Sequence, residues 1–439
     1  MKRVTVPVPS APVLIGLVFA LLSALFTGSF ISWAATPANV QAVPSTVITG
    51  CVGSSTPGGS SLNLAGRTIT ASTLVRIDPS GTCAANENAV TWNNQVTSPT
   101  FSQTVVITSS ADQFDNGNRL LAAMTTISNS VPAIANAYLV KLEPGNYDLN
   151  GRALNMLTHV DLEGSGQDVT YLSSTIDSNS PPTTGVLNLA AGSEVRNLTV
   201  LNYGESNYGT TIYANYSNQG GLTSLYPSAL INVTVVPIIG GTLESRGLYT
   251  GPTTSVLVQD SFIDVENGGS DFPTSNLILF GIDSQGTLKV TNSTVVARTQ
   301  AGYKTYGIRA NTASGVSTII QQTTIDTERG WWTNRAVDIG SSTTITIQNS
   351  TLTTYGIKTS ENTAVYNSSP YTVIQNSNLK ATGGDQYDQN SINNALVNLA
   401  TLKVATSQVN GGVSNTGTLK CVGSYNANFD VLGTDCTNA

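Results

Sequence analysis

The chain has 439 residues, of which 40% are hydrophobic and only 10% charged, and its formal net charge is −7. That length holds one long domain with small flanking modules. The charge balance excludes the clustered Lys and Arg of a nucleic-acid surface. The wealth of Ser, Thr, Asn and Gly argues against a helical bundle and suits strands with polar outer faces and tight turns.

Residues 1–34 read as a secretory signal. Lys2 and Arg3 supply the basic start, residues 13–30 the apolar core, and Ser32-Trp33-Ala34 a small-x-small cleavage site. An uncleaved anchor is the alternative, because the apolar run is long enough to span a bilayer. Cleavage leaves no membrane span and places the protein outside the cell or on its surface. Four cysteines suit that oxidising compartment. They pair by proximity in sequence, Cys51 with Cys83 and Cys421 with Cys436, one bridge toward each end of the chain. Free buried thiols are the alternative; no Cys-x-x-Cys metal spacing is present.

Residues 35–110 form a small β module. Its order is Gly50-Cys51, the strand Leu74-Val75-Arg76-Ile77, then Cys83 and Glu87 leading to Trp92-Asn93. This resembles a small extracellular module that precedes fibre or helix domains in bacterial secreted proteins. Residues 111–137 break the strand pattern. Leu120, Leu121, Met124 and Ile127 recur at helical spacing and Pro132 closes the run. A lone amphipathic helix there is suited to cover the apolar end of a coil.

The coil occupies residues 138–415. A short phrase returns eight times, as in Val258-Gln259-Asp260-Ser261-Phe262-Ile263 and Ile347-Gln348-Asn349-Ser350-Thr351-Leu352. Its corner residues are Asn197, Asn232, Asp260, Asn292, Gln322, Asn349, Asn376 and Thr406, spaced by 35, 28, 32, 30, 27, 27 and 30 residues, the range of solenoids. Two positions before each corner and three after it stand sixteen aliphatic residues, five apart in each phrase. In one flat strand, positions five apart face opposite sides. Both are buried only if the chain bends at the polar corner, where Asn, Asp and Ser tolerate turn dihedrals. A β-sandwich would give turns every 8–12 residues without this phase flip. The phrase therefore predicts a parallel β-solenoid with coils ~4.8 Å apart and an internal ladder of stacked corner amides.

The opening of the coil, Tyr138-Leu139-Val140-Lys141-Leu142-Glu143-Pro144-Gly145-Asn146-Tyr147 followed by Val160-Asp161-Leu162-Glu163-Gly164-Ser165-Gly166, resembles the pectin-lyase-like right-handed parallel β-helix superfamily. The resemblance spans residues 111–409 and implies that fold. It implies no single chemistry, because the superfamily holds lyases, hydrolases, phage tailspikes and non-catalytic surface proteins. Residues 416–439 read as a C-terminal cap that protects the last edge.

Chemistry is thinly marked. His159 is the only histidine, so a Ser-His-Asp triad elsewhere is excluded, and its neighbour Asp161 has no nucleophile nearby. The paired aspartates and Gly-His-Gly of polygalacturonase-type hydrolases are absent, as are the signature stretches of pectate lyases. No metal site and no cofactor are expected. Gly383-Gly384-Asp385-Gln386-Tyr387-Asp388 has the look of a calcium turn but occurs once, which fits a plain loop.

Aromatic residues suggest a binding surface. Tyr203, Tyr208, Tyr213, Tyr216 and Tyr226 crowd one insertion, and Trp331 and Trp332 stand together. Such rings are platforms for sugars or, alternatively, ordinary packing against the coil. A second phrase aligns Gly247-Leu248-Tyr249, Gly281-Ile282-Asp283, Gly307-Ile308-Arg309, Ala336-Val337-Asp338 and Gly356-Ile357-Lys358. With the middle residue inward, it predicts an outward column of Gly and Ala beside a column of Tyr249, Asp283, Arg309, Asp338 and Lys358. That column is either a surface ion ladder or a glycan groove, with Asp283, Asp338 and Arg309 as the only catalytic candidates. The sequence thus points to a secreted bacterial surface or matrix protein that binds glycans without catalysis. The alternative is a lyase or hydrolase acting on an acidic polysaccharide.

Overall fold

The computed structural model describes residues 101–437 apart from 131, 134–135, 177–182, 205–207, 217–226, 238–242, 268–276, 300–303, 312–315, 342, 357–360 and 384–391; ahead of these it describes strand backbones alone. The chain divides into two units, Met1–Ser98 and Pro99–Ala439. In the first, Val47–Gly53 lies between Val75–Ile77 and Glu87–Asn93 in an antiparallel sheet, and Leu62–Leu64 pairs with Arg67–Ile69. The signal segment, Cys83 and the side chain of Cys51 lie outside the described residues, and the expected Cys51–Cys83 bridge with them.

The second unit opens with strand Gln103–Ile107, which pairs in parallel with Tyr138–Leu142. Helix Gln113–Asn129 runs between them. Asp112 caps it by accepting hydrogen bonds from the Phe114 and Asp115 amides at 2.9 and 3.3 Å, which satisfies two of the unpaired first-turn donors. Leu120, Met124 and Ile127 enter the core, so the helix caps the coil as its spacing predicts. The fit is tight: a Cβ at Gly117 would lie 1.9 Å from the Asp148 carbonyl oxygen.

From there the chain winds as a parallel β-helix with three strands per coil. In one coil Ser255–Gln259 forms the first wall, Phe262–Asn267 the second and Ile278–Ser284 the third. The next coil lays Thr287–Thr291, Thr294–Thr299 and Lys304–Ala310 on these in parallel register. The first two walls share a 20-stranded sheet and the third is a 10-stranded sheet. At the end, Cys421 and Cys436 are joined by a disulfide with 5.2 Å between their Cα atoms. Among the described residues no helix is long and apolar enough to cross a membrane.

The corner accounts for this course. All eight corner residues take left-handed backbone angles, with φ between 47° and 59°, a region that Asn and Asp tolerate best among residues with a Cβ. The flip buries both flanking positions, and all sixteen aliphatic residues are no more than 3% exposed. Ile263, Val295, Ile325, Leu352 and Leu379 pair in sequence from coil to coil as one interior column.

The corner ladder differs from the expectation. The corner side chains stay on the outer surface, where Asn232 Nδ2 donates to Asn197 Oδ1 at 2.8 Å and Asn292 Nδ2 to Asp260 Oδ1 at 2.5 Å. The left-handed turn directs the following residue inward instead. Ser261, Ser293, Thr323, Ser350, Ser377 and Ser407 are buried there. Each hydroxyl donates to the carbonyl two residues back, at 2.7 to 2.9 Å. Several also accept the amide of the coil before, as Ser293 Oγ does from Ser261 and Ser377 Oγ from Ser350. Amide ladders do run on the third wall, Asn334–Asn362–Asn393 and Asn367–Asn398–Asn415, with contacts of 2.7 to 2.8 Å; the first two residues of each are buried.

Candidate functional site

The third wall carries the strip that the second phrase singled out. Leu248, Ile282, Ile308 and Val337 are fully buried and stack in register. Tyr249, Asp283, Arg309 and Asp338 form one column beside them. The column does not continue to Lys358. Gly356 ends the second-wall strand Thr351–Gly356, and the residue paired with Asp338 is Tyr366. Lys358 itself lies outside the described residues.

The expected outward strip of Gly and Ala is also corrected. These residues face the interior: a Cβ at Gly281 would lie 2.3 Å from Val295 Cγ1 and 2.6 Å from the Gly307 carbonyl. Ladder pairing steps from Arg246↔Phe280 to Leu248↔Ile282 without a pair at the glycines. Two successive residues therefore turn inward, a local irregularity that breaks the period of two. The outward neighbour is one residue earlier, where Arg246, Phe280, Tyr306 and Arg335 form a column that the phrase missed.

These two columns lock together. Asp283, 1% exposed, accepts from Arg246 Nε at 2.9 Å and from Arg309 Nε and Nη2 at 2.8 Å each. Arg246 also pairs with Glu244. The Arg309 guanidinium lies 4.1 Å over the Phe280 ring, which stacks on Tyr306 at 5.2 Å. One coil on, Arg335 binds Asp338 at 3.0 Å and Glu361 at 3.1 Å and covers the Tyr366 ring at 3.5 Å. Bidentate guanidinium–carboxylate pairs and cation–π contacts are strongest when shielded from water, as here. The strand residues of the strip carry four acidic and four basic side chains, from Glu244 to Glu361, so this face has no net charge to steer a charged polymer.

The aromatic expectations divide. Tyr213 stacks on Tyr249 with centroids 5.3 Å apart, so each ring covers a face of the other. Tyr208 begins the same strand as Tyr213 and pairs with Glu244. Tyr216 folds against the coil and donates to the Ser255 carbonyl at 2.8 Å. Trp331 is partly buried, whereas Trp332, at the edge of the third wall, is 55% exposed. Tyr226 and residues 384–388 of the loop once compared with a calcium turn lie outside the described residues. Among the described residues no group of three or more His, Cys, Asp or Glu side chains is arranged to hold a metal ion.

Three carboxyls bear on chemistry. Burial pushes Asp161 up from 3.8 to about 6, against the Glu194 amide that donates to it at 2.9 Å. Burial, with the charge of Glu328, pushes Asp326 to about 6 as well. Burial also raises Asp338 above the usual carboxylate range, opposed by Arg335. A carboxyl raised in the folded state takes up its proton at higher pH there than when unfolded, so its contribution to stability grows as pH falls from about 6 toward 3.8. The double variant Asp161→Asn, Asp326→Asn should therefore lose part of the wild type's gain in stability between pH 7 and pH 4. Urea unfolding of both proteins at the two values checks this; parallel curves would contradict it.

No family model matches the chain, and no curated protein matches it. Solved structures do. The chain is similar to a pectin methylesterase from Erwinia chrysanthemi at 11% identity, over 77% of this chain and 93% of that one, with a TM-score of 0.35. It is similar to a thermostable alpha-1,3-glucanase catalytic unit from Streptomyces thermodiastaticus at 12% identity, over 85% and 78%, with a TM-score of 0.39. A surface adhesin of Streptococcus pneumoniae matches at 11% identity, over 74% and 89%, with a TM-score of 0.30. No activity follows from likenesses at this identity. The fold itself, a parallel β-helix, stands on the wall pairings and corners of the chain's own coil.

Proposed function

We propose that this protein is an extracellular, non-catalytic surface or matrix protein that binds polysaccharide along its coil. The observation that supports this most is the state of Asp283. It sits between two guanidiniums and away from solvent, which supports a structural rather than a catalytic role. The strip around it is a rigid, neutral, polar face with Trp332 exposed at its edge, a surface suited to an uncharged sugar chain. Affinity electrophoresis against neutral and acidic polysaccharides tests the reading. Retardation by a neutral polysaccharide is expected, and Trp332→Ala should weaken it several-fold. Equal mobility in every gel would overturn it.

A second reading, an enzyme on polysaccharide, draws support from Asp338. Its raised pKa and single bond to Arg335 are what a general acid needs. On that reading Asp338→Asn abolishes release of reducing ends while leaving retardation unchanged.

A further inference from the structure

We propose a second binding site, remote from the third wall: a groove along the corner between the first and second walls that takes a neutral, hydroxyl-rich chain, an extended glycan. The inference rests on the reading that the coil binds polysaccharide and assigns that binding a place and a ligand class. The groove has a volume of about 430 Å³ and is lined by Asn349, Thr351, Asn376, Asn378, Gln408 and Tyr425. Asn349, Asn376 and Thr406 are successive corners held in the left-handed conformation. Thr351, Asn378 and Gln408 are paired in register across the same three coils. Two parallel rows of amides and hydroxyls thus flank the groove and repeat at ~4.8 Å, close to the rise of one sugar in an extended chain. Tyr425, bridged to Gln408 and stacked on Phe429 at 5.4 Å, closes one end.

The chemistry of the lining selects the ligand. No lining residue is charged, so a polyanion gains nothing there, whereas amides and hydroxyls both donate and accept, as sugar hydroxyls do. The floor is already committed: Ser350 and Ser377 hydroxyls donate to Gln348 and Gln375 carbonyls. The rows are not. Asn378 Oδ1 is buried with no hydrogen-bond partner, an arrangement that folded proteins rarely leave unused. Asn376 Oδ1 accepts from Thr406 Oγ1, which leaves the Asn376 amide nitrogen as a donor. A sugar hydroxyl seated between them would accept from Asn376 and, with the Asn378 amide turned toward the groove, donate to its oxygen.

The test is calorimetric titration of the full secreted chain with cellohexaose, xylohexaose and maltohexaose. The double variant Asn376→Gly, Asn378→Ala removes both amides, and glycine keeps the corner's left-handed angle without strain. Binding of at least one hexaose, weakened about tenfold or more in this variant at an unchanged unfolding midpoint, is expected, a loss of about 1.4 kcal/mol. If that variant unfolds, Asn349→Gly with Gln408→Ala asks the same question from the two ends of the groove. Lys289→Ala, on the exposed first wall, should change nothing. Unweakened binding in a folded groove variant overturns the site. So does a loss that follows Trp332→Ala alone, which would leave polysaccharide recognition in place on the third wall. Failure of all three hexaoses to bind at about 1 mM, while a long polysaccharide still retards the protein, also removes the groove and spares the broader reading.

Discussion

Leu352→Asp is expected to abolish cooperative folding of the coil. Leu352 is fully buried and paired with Ile325 before it and Leu379 after it. Removing an aliphatic side chain from such a site forfeits about 1.5–3 kcal/mol, and the new carboxylate has no cation in the column to pair with. Burying an unpaired charge costs several kcal/mol more, against a total stability of about 5–15 kcal/mol for a typical domain. Stacked repeats depend on nearest-neighbour contacts, so the break should spread to the coils on either side. Circular-dichroism melting should lose its single sharp transition, while Leu352→Ile, which conserves volume, should melt close to the wild type. A sharp, unshifted transition for Leu352→Asp would place that side chain outside the core and sink the coil alignment.

Asp283→Ala should destabilise the protein by about 3–5 kcal/mol, as breaking one partner of a buried pair does. The change leaves the Arg246 and Arg309 guanidiniums facing each other over Phe280 with their shared anion gone. An exposed ion ladder, the plainer expectation for this column, would lose only about 0–1 kcal/mol. Denaturant titration separates the two outcomes. Asp283→Asn should fall between them, since it keeps a hydrogen-bond acceptor without the charge.

The two walls that meet at the corner were legible because one physical rule governs them. A left-handed residue between two strands turns an offset of five into a shared interior, and sixteen aliphatic positions record it. The third wall was legible only in part. Its aliphatic column from Leu248 to Val337 and the column from Tyr249 to Asp338 were found. The inward turn at Gly247, Gly281 and Gly307 was not, because a glycine carries no side chain to show which way its position faces. That hid Arg246 and Arg335, the cations that complete the ion network. Gly356-Ile357-Lys358 imitated the phrase, although Gly356 closes a second-wall strand and Tyr366 holds the place assigned to Lys358. The serine ladder was visible as a small residue after six of the eight corners, but its hydrogen bonds depend on the backbone carbonyl two residues back, which no side-chain pattern displays.

The measurement that bears most directly on the proposed function uses one sample for both questions. The protein is incubated for a day with insoluble neutral polysaccharide and centrifuged; the pellet is assayed for protein and the supernatant for new reducing ends and unsaturated products. The protein is expected in the pellet, with no product in the supernatant. Protein left in the supernatant, or products that accumulate with time and vanish in Asp338→Asn, would contradict it.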